Sequence, residues 1–207
     1  MKPLVKLITA AVLPALALGC ATAKYIDHDG RDSVVNVGQI NTQEWIRAAN
    51  ELTQSLLLSG AIQGVAGKPK ILMIGRIKNN TTQHIDTDSL MKKIRVALNK
   101  GGRTLTTTAV GLDGPEDESS KAVRELRADD EFNQSTIPGK GNLVSPDYSL
   151  SGKIIQNDAR ARRGLLPTIK QSEFAFQLSL TDLKTGLAVW EEEKLIVKQG
   201  SRAAVGW

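Results

Sequence analysis

The sequence predicts an α+β (mixed α/β) fold, with helices and strands alternating early and an antiparallel set of strands closing the chain. Three observations carry this reading. Apolar residues recur at helical spacing over residues 41–59 and again before Gly101. An unbroken apolar run, KILMIGRI, fills residues 70–77. Strict alternation over residues 173–181 is followed by a tight turn and a second strand-like run.

Each element has its own signal. Asn41 can cap a helix over residues 41–59, with Glu44 three positions on to complete a capping box. Trp45, Ala49, Leu52 and Leu56 fall on one face, and Gly60 ends it. After a glycine-bearing connection, residues 70–77 have the length and composition of a central strand buried on both faces. Asn79, Asn80, Thr81 and Thr82 read as a polar loop. Asp86 or Thr87 then caps a helix striped by Leu90, Met91, Ile94, Ala97 and Leu98, stopped by Gly101 and Gly102. Residues 103–110 predict a threonine-rich strand, and Ser119 or Ser120 starts a third helix toward Phe132. Residues 147–156 predict a strand and residues 157–171 a connection. In residues 173–181, Phe174, Phe176, Leu178 and Leu180 share one face, with Ala175, Gln177 and Ser179 on the other. Residues 183–186 turn the chain, and residues 187–197 return antiparallel. No internal repeat recurs at a fixed period.

The first 20 residues belong to export rather than to the fold. Lys2 and Lys6 precede an apolar stretch, residues 7–18, too short for a permanent span of about 20 residues. Leu16-Ala17-Leu18-Gly19-Cys20 has the form of a lipobox, with alanine where leucine is usual. Cys20 is the only cysteine in 207 residues, and its place at the end of a leader is explained by acylation after cleavage. Stable anchoring takes more than one acyl chain. Ala21, in place of an aspartate, points to the outer membrane. Residues 1–19 are thus expected to be a signal peptide, and residues 20–40 a lipidated start and flexible tether reaching at most roughly 70 Å. Residues 41–198 form one globular domain and residues 199–207 a tail ending in Trp207. Taking away the 40 residues up to Ile40 leaves 167, enough for a single core.

Charge excludes one class of partner. The net charge of +5 falls to +3 once residues 1–19, with two lysines and no acid, are removed. That is too mild for a nucleic-acid protein.

Pieces that look catalytic do not assemble into a catalytic set. Ser89 and Lys92 fit S-x-x-K, and Lys184-Thr185-Gly186 fits K-T-G, but the S-x-N or S-D-N element is absent. Lys92 also lies opposite the apolar stripe of its helix, and Gly186 belongs in a turn for backbone reasons. A phosphate-binding loop around Lys68 would need glycine at 62 and Ser or Thr at 69, where the chain has Ile62 and Pro69. His28 and His84 are the only histidines, and Asp113, Glu116, Asp117 and Glu118 fit no calcium-loop spacing. No enzyme, metal or cofactor beyond the covalent lipid on Cys20 is expected. Arg160, Arg162 and Arg163, followed by Leu165-Leu166-Pro167, read as a charged connection able to meet an acidic partner surface or phosphate groups.

The run KILMIGRIKNNTTQHIDTDSLMKKIRVALNKGG resembles the penicillin-binding-protein activator LpoB family, in which an apolar strand, an N-N-T loop and a helix ending in asparagine, lysine and glycine follow one another. DYSLSG at residues 147–152 is similar to the later family strand, and FQLSL, K-T-G and Trp190 to its closing hairpin. The resemblance covers about residues 45–197. It implies a domain similar to the N-terminal domain of TolB, a mixed, largely antiparallel sheet flanked by helices. It also implies an outer-membrane lipoprotein facing the periplasm, probing a bifunctional class A penicillin-binding protein as a monomer and performing no chemistry itself. Asn79, Asn80, Thr81, Thr82, Arg160, Arg162 and Arg163 are the candidate contacts. Family members carry a long proline-rich linker, whereas residues 21–40 are short and contain no proline, and residues 157–171 look enlarged. The alternative is a secretion-complex lipoprotein similar to CsgG, forming an oligomeric ring, although no alternating hairpins long enough for a barrel are evident.

Overall fold

A computed structural model describes residues 23, 25–27, 32–65, 67–111, 117–162, 164 and 166–201. The elements run α1 (Thr42–Ser59), β1 (Lys70–Asn80), α2 (Thr87–Lys100), β2 (Thr104–Thr106), α3 (Glu118–Glu125), β3 (Tyr148–Ala161), β4 (Ile169–Asp182) and β5 (Ala188–Ser201). The five strands form one sheet in the order β2-β1-β3-β4-β5. β1 pairs parallel with β2 and β3, and the β3–β4–β5 meander is antiparallel. The fold is the α+β arrangement that the sequence predicts, with a mixed sheet.

Local chemistry explains the helix ends. Both halves of the capping box form: Asn41 Oδ1 accepts from the Glu44 N–H at 2.9 Å, and Glu44 Oε2 accepts from the Asn41 N–H at 2.9 Å. Such a cap contributes about 1 kcal/mol. Gly60 closes α1 at φ 76°, a left-handed conformation that suits glycine. Asp86 caps α2 through the N–H groups of Asp88 and Ser89.

α1 and α2 pack on one face of the sheet. Ala49, Leu52 and Leu56 of α1, Leu90, Met91, Ile94 and Leu98 of α2, and Leu72, Ile74, Leu150, Ile154, Phe174, Phe176, Leu178 and Leu180 of the strands form a single core. The period-2 pattern of β4 aims its even-numbered residues at the helices. β1 is an interior strand, and Leu72, Met73, Ile74 and Gly75 are all buried. No helix among the described residues is long and apolar enough to cross a membrane.

Several boundaries differ from the sequence reading. β2 has three residues rather than eight, because its pairing with β1 ends once the Thr107 N–H reaches the Leu72 carbonyl at 2.9 Å. α3 is capped by Asp117 rather than by a serine and buries none of its residues, so packing does not extend it to Phe132. Asn79 and Asn80 belong to β1 rather than to a loop. Most of residues 157–171 is β structure: β3 runs on to Ala161 and β4 begins at Ile169, paired from Asn157↔Glu173 to Ala161↔Ile169. Residues 157–161 of β3 are exposed on both faces, and the residue that the facing part of β4 buries fully, Ser172, is polar, so no hydrophobic pattern marks the ribbon.

Packing also begins before Asn41. Val37 and Ile40 are buried, which shortens the freely extensible part of the segment read as a tether.

Candidate functional site

The polar run after β1 is a joint. Asn79 Nδ2 donates to the Gln83 carbonyl at 2.8 Å, and Asn79 Oδ1 accepts from the Thr81 N–H at 3.1 Å. The Thr81 hydroxyl lies 2.7 Å from Asn79 Oδ1 and 3.0 Å from the Gln83 carbonyl, and accepts from the Gln83 N–H at 3.2 Å. Thr82 donates its N–H and its hydroxyl to Gln156 Oε1 of β3, at 3.1 and 3.0 Å. Asn79, Thr81 and Thr82 therefore satisfy one another and the neighbouring strand, while Asn79, Asn80 and Thr82 all remain exposed.

What the joint holds is the N-terminal segment. The Gln83 side chain brackets Ile40 in the manner of a strand partner: Oε1 accepts from its N–H at 2.8 Å, and Nε2 donates to its carbonyl at 3.0 Å. Gln156 Nε2 lies 3.5 Å from the Gly38 carbonyl. Lys198 Nζ donates to the Gln39 carbonyl at 2.5 Å and to Glu44 Oε2 at 2.7 Å. A methyl group placed on Gly38 would sit 2.6 Å from Lys170 Nζ. Residues 38–40 are thus strapped across the ends of β1, β3, β4 and β5. Sequence reasoning passed over Gln83, Gln156 and Lys198; the one available signal was the alternation that places Lys198 on the helix-facing side of β5, in register with Ser172.

A groove of about 730 Å³ runs along the side of β1 that β2 leaves unpaired, bringing Asn79 and Asn80 together with Arg76, Lys78 and His84. Arg160 and Arg162 stand elsewhere at the same end of the molecule, on and beyond the last turns of the β3–β4 ribbon. Arg160 pairs with Lys170, and both arginines are exposed. Asp158 offsets part of this charge through an ion pair with Lys170 at 3.4 Å. Cys20, His28, Asp113, Glu116, Arg163, Leu165 and Trp207 lie outside the described residues.

The catalytic-looking pieces are separated by the fold. Ser89 and Lys92 lie in the first turns of α2, beside the C-terminal end of β1. Lys184-Thr185-Gly186 turns the chain between β4 and β5 at the opposite end of the sheet, so S-x-x-K and K-T-G do not share a site. Asp182 organises that turn, its Oδ1 accepting from the N–H groups of Lys184 at 2.8 Å and Thr185 at 3.0 Å. The Thr185 amide first, and the Lys184 amide after it, hold the Asp182 carboxyl below the usual carboxylate range. Gly186 takes φ 74°, as such a turn requires. Among the described residues, no three His, Cys, Asp or Glu side chains gather as a metal site.

The family model described as peptidoglycan-synthase activator LpoB matches residues 44–196. That range reaches from the first turn of α1 almost to the end of β5. The LpoB C-terminal domain from Salmonella enterica is 13% identical, with 74% of this chain and 98% of that one covered and a TM-score of 0.43. For the LpoB C-terminal domain from Escherichia coli the figures are 13%, 75%, 99% and 0.42. No curated protein matches the chain.

Proposed function

The chain belongs to the LpoB family of peptidoglycan-synthase activators, and from that premise we propose that it is an outer-membrane lipoprotein, anchored through Cys20, that binds a bifunctional class A penicillin-binding protein. It acts as a monomer and contributes no chemistry. The observation that carries this reading is the family match across the whole packed domain. An activator of this kind works by binding the active conformation of the synthase more tightly than the inactive one. A tenfold population shift needs a differential affinity of about 1.4 kcal/mol.

In this reading residues 1–19 are the signal peptide, and the tether runs from Cys20 only to about Ile26, because Gln43 of α1 already donates to the Asp27 carbonyl at 2.6 Å. The seven steps from Cys20 to Asp27 reach at most roughly 25 Å. Arg160 and Arg162, at the end where this tether joins, are read as contacts to phosphate groups of the anchoring bilayer, at about 1 kcal/mol per charge near an anionic surface. Unlipidated mature chain is expected to sediment with phosphatidylglycerol vesicles in low salt. The double variant Arg160→Glu/Arg162→Glu should bind them at least tenfold more weakly, and equal binding would remove this assignment.

The central test is kinetic. The purified lipoprotein, added in detergent to a class A synthase from the same cells, is expected to co-purify with it and to raise its rate of glycan-strand polymerisation. Neither co-purification nor a change in rate would sink the reading. Mass spectrometry of the mature chain checks the anchor separately, since an N-terminal Cys20 bearing acyl chains is required.

A further inference from the structure

We infer that the synthase is met by the end of the domain farthest from the tether, through an apolar cluster of Leu143, Val144, Leu183, Leu187 and Val189. This rests on the anchor and partner proposed above, and adds where on the domain the partner sits.

The first argument is the direction of the chain. The tether joins where residues 38–40 are strapped to Gln83, Gln156 and Lys198. From Gln156 back to Asp147 the chain is extended along β3, nine residues that span about 30 Å. With only six residues between Cys20 and Asp27, whose carbonyl Gln43 holds at 2.6 Å at the start of α1, the strapped end is the one held nearest the anchoring bilayer. The end carrying Asp147 and the β4–β5 turn is presented away from it, toward a partner on the other side.

The second argument is what that end displays. Val144 is 65% exposed, Leu187 64%, Leu143 51%, Leu183 44% and Val189 43%. Single exposed apolar residues are ordinary, but several gathered at one end mark an interaction surface. Backbone bonds join the segments that carry them. The Leu183 N–H donates to the Asp147 carbonyl at 2.9 Å, and the Asp182 N–H to the Leu187 carbonyl at 2.9 Å. Asp182 locks the turn, and Lys70 lies over the Tyr148 ring at 5.6 Å. The surface is therefore ordered in advance, which lowers the entropy lost on docking. Lys70, Asp147 and Lys184 line a groove beside Leu183 and supply polar groups of the kind found at the rim of protein interfaces. The strapped end carries exposed apolar residues too, Val34, Val35 and Leu166 among them, but sets them among the charges of Arg160, Arg162, Lys170 and Lys78.

The test compares the two ends in the full-length lipoprotein, using detergent-solubilised class A synthase as the probe. Val144→Asp/Leu187→Asp is expected to weaken binding at least tenfold, and Arg160→Glu/Arg162→Glu by less than twofold. Thermal midpoints within about 2 °C of the parent confirm that the fold is kept. Should the aspartates lower the midpoint further, Val144→Ser/Leu187→Ser takes their place, and the same tenfold loss is required. If the parent binds and activates but the first variant does so equally well, the surface assignment falls and the proposed function stands. A cluster that holds two copies of this chain together, seen as a dimer that Leu187→Asp splits without loss of synthase binding, also overturns it. A parent chain that binds no synthase overturns both.

Discussion

Lys198→Ala is expected to lower the free energy of unfolding by about 3 kcal/mol, the low end of what breaking a buried ion pair costs. Lys198 is 8% exposed near the end of a strand, and its ammonium is shared among three groups. It donates to Glu44 Oε2 and to the Gln39 carbonyl, and stands 5.5 Å from the centre of the Phe174 ring. Glu44 Oε2 also accepts the Asn41 N–H that begins α1. Removing the ammonium leaves a carboxylate with 15% side-chain exposure facing an empty space, and strips the Gln39 carbonyl of its donor. For a chain of this size each kcal/mol shifts the melting temperature by about 2–4 °C, so calorimetry should record a fall of roughly 6–12 °C. Hydrogen exchange at the Ile40 amide should quicken as the strap loosens. Adding Glu44→Gln should recover part of the loss, because the unpaired charge is then gone. A fall under about 2 °C would mean that water replaces the ammonium without cost.

Phe174→Ala should destabilise the domain by about 3–5 kcal/mol, a third or more of the stability of an ordinary domain. The ring is fully buried at the centre of β4, paired with Gln156 of β3 and Ile196 of β5. Its removal loses the transfer energy of an aromatic side chain and opens a cavity that interior strands cannot close. Urea denaturation gives the size of the effect, with an unchanged m-value showing that the unfolded state is unaltered. Because Lys198 Nζ rests against this ring, the double variant Phe174→Ala/Lys198→Ala should lose less than the sum of the two. Strict additivity would show that the contact contributes nothing.

These two residues mark what could and could not be read in the sequence. Phe174 was legible because its partners in pattern, Phe176, Leu178 and Leu180, follow at period 2, and burial on one face leaves that record in the chain. Asn41 and Glu44 were legible because a capping box is complete within four residues. Lys198 was not, since its partners lie 154 and 159 residues away and nothing local marks a charge that will be buried. The β3–β4 ribbon escaped for a related reason: the one side chain it buries fully, Ser172, is polar, so its outer part carries no hydrophobic alternation. β2 was overestimated because threonines favour strands, while the length of a strand is set by what it pairs with. Of the candidate contacts, the Asn79–Thr82 run was found as a feature and stays exposed, but it also fixes Gln83 and Gln156, which in turn hold residues 38–40. That role becomes visible only once Gln83 and Gln156 are brought alongside.

The parallel pairing of β1 with β3 has a kinetic consequence. Leu72 must find Tyr148, 76 positions later, whereas β3, β4 and β5 meet through short connections. A chain synthesised from its amino terminus cannot complete its sheet until the meander has followed. The early helices and β1 therefore wait, with their apolar side chains uncovered, for the last third of the molecule. Closing so large a loop is slow compared with hairpin formation. The interval in which this protein most needs protection from aggregation is thus the one between the arrival of its first strand and that of its third.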